Sequence, residues 1–188
     1  MGGTKRTRIA KQFDVNLFGL AEATKAVLPT MRKQGSGTIV NVSSIGGKVY
    51  GPLGAWYHAT KHALEGWSDC LRLEVSQFGI NVVVIQPGVI NTGFAEAMDQ
   101  KLTDDSSGPY KELKQIIANM MKNTTKPGKY SEPSVIAHTI SKAIRSKKPK
   151  TRYAAGKMAK QTLLARKLLS DKSFDKMFLM MLQNYGKQ

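Results

Sequence analysis

Two short apolar runs with a helical stretch between them constrain the fold of this chain more than any other feature. Residues 38–43 have the sequence Thr-Ile-Val-Asn-Val-Ser, and residues 80–85 have the sequence Ile-Asn-Val-Val-Val-Ile. Both runs are rich in β-branched residues and apolar on both faces, which is typical of buried strands in a parallel sheet. The residues between them predict a helix from about 55 to 78, ended by Gly79. A strand, a helix and a second strand in this order predict a parallel pair joined by a crossover.

The rest of the chain adds helices and one more short strand to this unit. Apolar residues recur at helical spacing over residues 12–32, and further helices are predicted at 132–145 and from 157 to the mid-160s. Residues 152–155 are a candidate third strand, and the apolar run at 177–182 indicates a packed or partner-facing helix. We therefore predict an α/β fold with about three parallel strands and helices on both faces of the sheet.

Charge is concentrated in one half of the chain. Residues 1–110 contain 11 Lys and Arg against 9 Asp and Glu, a net charge of +2, whereas residues 111–188 contain 18 against 4, a net charge of +14. A basic half of this kind is able to meet nucleic acid or an anionic lipid surface. The lysines are scattered and not interleaved with aromatic residues, which favours a solvated surface over a nucleic-acid site.

The cysteine count and the hydropathy of the sequence indicate the cellular compartment in which the protein is expected. Cys70 is the single cysteine, so an internal disulfide is excluded and a reducing compartment is favoured. No apolar run reaches the roughly 20 residues that a membrane-spanning helix needs. The first residues contain no hydrophobic signal core. We expect a cytoplasmic protein without a membrane span.

Tyr57 and Lys61 are the first candidates for a chemical role. They are spaced i, i+4 in the predicted helix, so the ammonium group is expected near the phenol. A positive charge favours the phenolate and so lowers the phenol pKa from its ordinary value of about 10, which suits proton transfer near neutral pH. The pair alone is a weak signal. His58 and His62 have the same spacing, but no third ligand lies nearby, so we predict no metal site.

Four motifs around this pair resemble those of the short-chain dehydrogenase/reductase family, in the same order and spacing. They are Phe-Asp-Val-Asn-Leu-Phe-Gly at 13–19, Asn-Val-Ser-Ser at 41–44, Tyr57-x-x-x-Lys61, and Gln-Pro-Gly-Val-Ile-Asn-Thr at 86–92. Ser44 lies thirteen positions before Tyr57, which favours it over Ser43 as the family's serine. The resemblance covers about residues 12–156 and implies a partial Rossmann-type, doubly wound parallel sheet.

The resemblance implies NAD(P)-dependent hydride transfer to or from a carbonyl or secondary alcohol, with four catalytic residues. Tyr57 exchanges a proton with the substrate oxygen, and Ser44 donates a hydrogen bond to that oxygen. Lys61 lowers the phenol pKa and holds the hydroxyl groups of the nicotinamide ribose. Asn16 holds a water molecule that links Lys61 to solvent.

The same resemblance implies which residues bind the cofactor, either NAD or NADP. The backbone of Val89 and the hydroxyl of Thr92 bind the nicotinamide carboxamide, in the turn that Pro87 and Gly88 begin. The expected cofactor-binding set is Asn16, Tyr57, Lys61, Pro87, Gly88, Val89 and Thr92.

One departure concerns the beginning of the family's fold. The family starts with a strand and a Thr-Gly-x-x-x-Gly-x-Gly turn that receives the cofactor pyrophosphate, and this turn does not occur in the sequence. We expect residues 1–188 to form a single truncated domain without the N-terminal strands and without the pyrophosphate and adenosine half of the cofactor site. Residues 157–188 would be a C-terminal helical extension, and the first strand would be left with an open, apolar edge.

The expected partners are a small hydrophobic alcohol or ketone and a second copy of the chain. The segment 93–125 is mixed and polar and resembles the family's substrate lid, with apolar candidates Phe94, Met98, Leu102, Tyr110, Leu113, Ile116 and Ile117. The helices at 12–32 and 55–78 resemble those of the family's dimer interface. Three functions are therefore open: an oxidoreductase, a non-catalytic remnant that acts by association, and a basic binder of nucleic acid or anionic surfaces.

Overall fold

A sheet of three parallel strands, in the order β1-β2-β3, is the centre of the fold. The structure, a computed structural model, describes residues 6–94 and 108–186. The strands lie close to their predicted positions, so the predicted parallel α/β sheet is confirmed. Their bounds are Gly37–Val42 for β1, Ile80–Pro87 for β2 and Arg152–Ala155 for β3.

Helices precede, connect and follow these strands. α1 and α2 are joined without a break by the π-helical turn Asp14–Phe18, so the predicted helix at 12–32 is one part of a longer helical stretch. The short turns Ile45–Gly47 and Ser76–Phe78 are 3-10 helical. The α-helices are Arg6–Phe13 (α1), Gly19–Gln34 (α2), Ala55–Val75 (α3), Lys111–Thr124 (α4), Pro133–Arg145 (α5), Ala159–Leu168 (α6) and Asp171–Gly186 (α7).

The sheet is covered on both faces because the side chains of β2 alternate between two cores. Ile80 and Val82 pack on one face with side chains of α2 and α3. Val83 and Ile85 pack on the other face with Ala143 of α5. This is the layered arrangement that the sequence predicts.

α4 is the helix that the sequence pattern missed, since it lies in the segment described as mixed and polar. Its apolar stripe packs against α7, where Ile117 and Leu182 are both 3% exposed. Leu113 and Ile116 pack against the same cluster. These three residues of α4 were expected to line a substrate lid, and the structure shows them in helix packing instead.

β1 lies at an open edge of the described sheet. Among the described strands it pairs with β2 alone. Val42 at its carboxyl end is 43% exposed. β1 is thus an edge strand of the described sheet.

Candidate active site

Ser44 and Tyr57 meet at the carboxyl end of the parallel strands. Ser44 follows β1 and caps the 3-10 turn, where its Oγ accepts a hydrogen bond of 3.0 Å from the Gly46 N–H. Tyr57 lies in the first turn of α3, close enough to Ser44 for the serine hydroxyl to lower the pKa of the phenol. Ser43, by contrast, is 4% exposed, and its Oγ has no hydrogen-bond partner within the described part of the chain. The structure therefore places Ser44, not Ser43, beside the phenol.

The phenol of Tyr57 is held in its protonated form. Burial raises the pKa of Tyr57 above its ordinary value of 10.0, and the Ser44 hydroxyl lowers it by less. The i, i+4 spacing to Lys61 predicts a lowered pKa, so that prediction is wrong for the structure as it stands. The physical reason is that the cost of burying a phenolate outweighs the stabilisation that the site offers it.

Lys61 is directed at the backbone of the neighbouring strand. Its Nζ donates a hydrogen bond of 3.1 Å to the carbonyl oxygen of Val42 at the end of β1. Burial lowers the pKa of Lys61. The ammonium group is thus held at the same sheet edge as Ser44 and Tyr57, one helical turn beyond the phenol.

Asn16 reaches the site through Thr60. The π-helical turn carries Asn16, and its Nδ2 donates to Thr60 Oγ1 at 3.0 Å. Thr60 Oγ1 in turn donates to the carbonyl oxygen of Tyr57 at 2.8 Å. Thr60 is fully buried and was not singled out from the sequence, although it lies between Tyr57 and Lys61. The structure thus connects Asn16 with the helical turn that carries the phenol.

The Pro87–Thr92 turn continues β2 at the same edge. Gly88 N–H donates to the Ala155 carbonyl oxygen, and a Cβ at Gly88 would clash with the Lys157 carbonyl oxygen, so only glycine fits. Thr92 is exposed, and its Oγ1 accepts a hydrogen bond of 3.4 Å from the Phe94 N–H.

The backbone of Val89 is used within the chain. Its N–H donates to the Lys157 carbonyl oxygen at 2.9 Å, and its C=O accepts from the Ser131 N–H at 3.0 Å. Among the described residues, no backbone hydrogen bond uses the N–H or C=O of Ile90, the next residue. Within the described ranges, both backbone groups of Val89 are therefore bonded and those of Ile90 are not.

Phe94 is the lid residue that the structure brings to the phenol. Its ring centroid lies 5.2 Å from that of Tyr57, with the ring planes tilted by 48°. Tyr110 is exposed, and the other two lid candidates, Met98 and Leu102, lie outside the described residues. An apolar wall therefore borders Tyr57 on at least one side.

His58 and His62 do not converge on a common point. His58 Nδ1 lies 3.0 Å from the Gly46 carbonyl oxygen, and His62 Nδ1 lies 2.9 Å from the His58 carbonyl oxygen. Burial is the main cause that lowers the pKa of His58. In residues 6–94 and 108–186, no group of three His, Cys, Asp or Glu is placed to hold a metal ion.

A buried carboxylate beneath the site was not foreseen from the sequence. Glu65 of α3 is 1% exposed; its Oε1 accepts from Gln86 Nε2 at 3.0 Å, and its Oε2 accepts from Arg152 Nε at 2.9 Å. Lys48 Nζ lies 3.5 Å from the same Oε2. Arg152 also donates to Asp69, and this bond is the main cause that lowers the pKa of Asp69. The cluster ties α3 to β2, β3 and the loop after β1.

Two arginines of the basic half have internal roles. Arg152 belongs to the Glu65 cluster, and Arg166 pairs with Asp171 at 2.6 Å while its guanidinium lies over the rings of Tyr50 and Phe174.

Within the described ranges, no helix is long and apolar enough to cross a membrane.

The family model and the relatives that match this chain all point to the same family. A family model described as short chain dehydrogenase matches residues 3–103. The uncharacterized oxidoreductase YusZ of Bacillus subtilis is 37% identical over 162 residues, which cover 84% of this chain and 57% of the relative. The 3-ketodihydrosphingosine reductase of Bacteroides thetaiotaomicron is 36% identical over 162 residues, covering 84% and 58%. The chain thus spans 57–58% of the length of these two curated relatives.

A solved structure shows the same likeness in three dimensions. The crystal structure of a short-chain dehydrogenase from Streptomyces avermitilis superposes with a TM-score of 0.68 at 30% identity. The match covers 86% of this chain and 57% of that one.

Proposed function

The chain belongs to the short-chain dehydrogenase family, and from this membership we propose that its site serves hydride transfer between a nicotinamide cofactor and a carbonyl or secondary alcohol. One observation carries the proposal: the loop that carries Ser44 packs against the ring of Tyr57 at the sheet edge that also holds the ammonium group of Lys61. Ligand sites in open parallel sheets lie beyond the carboxyl ends of the strands, which is where these groups meet.

Tyr57 and Ser44 would both act on the substrate oxygen, Tyr57 as proton donor and Ser44 as hydrogen-bond donor. The protonated phenol of Tyr57 is ready to give its proton to a carbonyl oxygen as negative charge develops there. Ser44 Oγ accepts from the Gly46 N–H, so its own proton is left to donate to the same oxygen. Phe94 at the phenol provides an apolar wall that keeps water from competing for these bonds.

The described residues fit the nicotinamide half of the cofactor, NAD or NADP. Lys61 and Tyr57 offer an ammonium and a hydroxyl group for two ribose hydroxyls. Thr92 and the free peptide groups of Ile90 match the donors and acceptors of a carboxamide. Ile90 therefore replaces Val89 in the proposed cofactor set, because both backbone groups of Val89 are already bonded. When bound, the nicotinamide would supply or accept the hydride.

Asn16 would act on the site through the helix that carries Tyr57. Its amide fixes Thr60, and Thr60 fixes the carbonyl oxygen of Tyr57. Removal of the Asn16 amide would loosen the first turn of α3 and with it the position of the phenol. We also retain the role in proton supply to Lys61 that the family resemblance implies.

A hydrophobic alcohol or ketone is the proposed substrate class. The ring of Phe94 lies against Tyr57, and one relative is named 3-ketodihydrosphingosine reductase, a name that describes a long-chain ketone as that protein's substrate. Apolar contact area near the reacting carbonyl would favour such substrates over small polar ones.

Two measurements test the proposed function. Thermal unfolding of the purified chain with millimolar NADH or NADPH should show an increase in the melting temperature, because a ligand that binds the folded state stabilises it. Turnover of long-chain ketones, followed by loss of the reduced cofactor, should fall by about a hundredfold or more in Tyr57→Phe. No shift with either cofactor and no turnover of any ketone would contradict the proposal.

The second proposed property is self-association of two copies through α2 and α3. A non-catalytic remnant would retain this property without enzyme activity. Val15, Phe18 and Val27 are 65%, 55% and 42% exposed on the first helical stretch, and Leu73 of α3 is 68% exposed. Gly66 on the same helix has no other atom within 4 Å of where a Cβ would stand, so a second helix is able to approach closely. We propose that the chain forms a homodimer through these helices. We also propose that each copy is a single domain in which residues 157–188 are a C-terminal helical extension.

A further inference from the structure

His58 directly follows Tyr57 and fills the space inside the loop that carries Ser44. The side chain is half-buried, and its Nδ1 lies 3.0 Å from the carbonyl oxygen of Gly46. A carbonyl oxygen only accepts hydrogen bonds, so Nδ1 must carry the proton in this contact. A neutral ring that keeps this bond is the Nδ1–H tautomer; Val49 is a second, smaller backbone hydrogen-bonding influence on the ring.

Two glycines let the loop pass close to both edges of this ring. A Cβ at Gly46 would lie 3.1 Å from His58 Nδ1 and 3.1 Å from Tyr57 Cε1. A Cβ at Gly54 would lie 2.9 Å from both Cδ2 and Nε2 of His58. Residues 46 and 54 therefore hold the imidazole between them, and larger residues at either position would push it out.

Gly46 links this ring to the reacting groups. Its C=O accepts from His58, and its N–H donates to Ser44 Oγ at 3.0 Å. The same loop packs against the ring of Tyr57, and the Ser44 hydroxyl lowers the pKa of the phenol. These contacts lead from His58 through Gly46 and Ser44 to Tyr57, the residue that precedes His58 on α3. The helix and the loop therefore fix each other's position.

We propose that His58 is a positioning residue, whose Nδ1–H holds Gly46 so that Ser44 Oγ stays near the Tyr57 hydroxyl. The kinetic part of this inference rests on the proposed function, whereas the structural part does not. Without the bond from His58, the loop is free to move away from α3, and the effect of the Ser44 hydroxyl on the phenol is weakened.

Three substitutions separate this role from simple packing. His58→Asn keeps a donor at nearly the same place, because the Asn amide nitrogen and the imidazole Nδ1 are both attached to Cγ. His58→Gln moves the amide one carbon further and loses the bond. His62→Gln is the matched control, since His62 is the exposed histidine one turn along the same helix.

The first readout needs neither a substrate nor a variant. Long-range nitrogen–proton NMR spectra of the unmodified protein should show His58 as the Nδ1–H tautomer, and an Nε2–H tautomer would overturn the proposal. The second readout is the pKa of Tyr57 from carbon-13 labelled tyrosine. The Ser44 hydroxyl lowers this pKa, so it should rise in His58→Gln and stay unchanged in His58→Asn and His62→Gln.

Kinetics provide the third readout. In His58→Gln, kcat for ketone reduction should fall by about tenfold, which corresponds to the loss of one hydrogen bond, with KM nearly unchanged. His58→Asn should restore most of the rate. An equal Tyr57 pKa in all variants would overturn the positioning role. If the unmodified protein reduces no ketone, the proposed function fails, and the tautomer and the Tyr57 titration still decide the role of His58.

Discussion

At the scale of single residues, the protonation state of Tyr57 decides the direction in which the site works best. A phenol whose pKa is raised by burial is almost entirely protonated at neutral pH. It is then an acid, ready to give a proton to a substrate oxygen, and a poor base. Lys61, whose own pKa is lowered by burial, donates to the Val42 carbonyl oxygen. If the proposed function is correct, these protonation states favour carbonyl reduction.

The two reaction directions should therefore depend differently on pH. Reduction needs the phenol, so kcat/KM should stay level from neutral pH upward and fall only as the pH passes the raised pKa of Tyr57. Alcohol oxidation needs the phenolate, so it should rise by about tenfold per pH unit over the same range. Ser44→Ala removes the hydroxyl that lowers this pKa, and should move both profiles to higher pH. Profiles that level off near pH ~7 in the oxidation direction would contradict this.

At the scale of elements, the sequence predicts what short-range patterns encode. β1 and β2 are runs of β-branched residues, and the helix at 55–78 has regular apolar spacing, so they were predictable. The turn around Asn16 is π-helical over five residues, and so short a stretch is not recognisable from apolar spacing. The apolar residues of α4 have helical spacing as well, but the family resemblance assigned segment 93–125 to a substrate lid. Only the position of α7 shows what they pack against.

Glu65 shows why part of the site region could not be predicted at all. A glutamate on a regular helix is expected at the surface, yet Glu65 is 1% exposed. Its main cationic partner, Arg152, lies 87 positions further along the chain, on β3. Because the partner arrives only through the tertiary fold, no local pattern contains it. The same holds for the contact from Asn16 to Thr60, which joins residues 44 positions apart.

The Glu65 cluster should contribute strongly to stability. Glu65→Gln leaves the half-buried Arg152 and the nearby Lys48 without their shared negative charge. Arg152 keeps its bond to Asp69, so we expect a loss of about 1–3 kcal/mol in urea unfolding, the usual cost of disrupting a buried hydrogen-bonded group. Glu74→Gln changes an exposed glutamate at the end of the same helix and should alter the free energy of unfolding by less than ~0.5 kcal/mol. Equal effects of the two substitutions would show that the cluster adds nothing.

At the scale of the whole molecule, two surfaces are able to bind a second copy of the chain. One is the helical face with Phe18 and Leu73, which are 55% and 68% exposed. The other is the edge of β1, where Val42 is exposed and the described sheet ends. Apolar helical faces associate by side-chain packing, whereas strand edges associate through backbone hydrogen bonds.

These two modes should respond to different substitutions. Leu73→Glu places a charge on the helical face and should convert the proposed dimer to a monomer in light scattering, because a buried unpaired charge is costly at an interface. Val42→Lys places a charge at the strand edge and should leave the dimer intact while it reduces slow aggregation at high concentration.

Val135→Lys, at a 38% exposed valine of α5, is the control for added charge alone. If Val42→Lys abolishes the dimer and Leu73→Glu does not, the chain associates through its open sheet edge. The proposed helical interface is then wrong. Strand pairing at β1 would also bring the second copy next to the Val42 carbonyl oxygen that Lys61 binds, so dimerisation and the candidate active site would then be coupled.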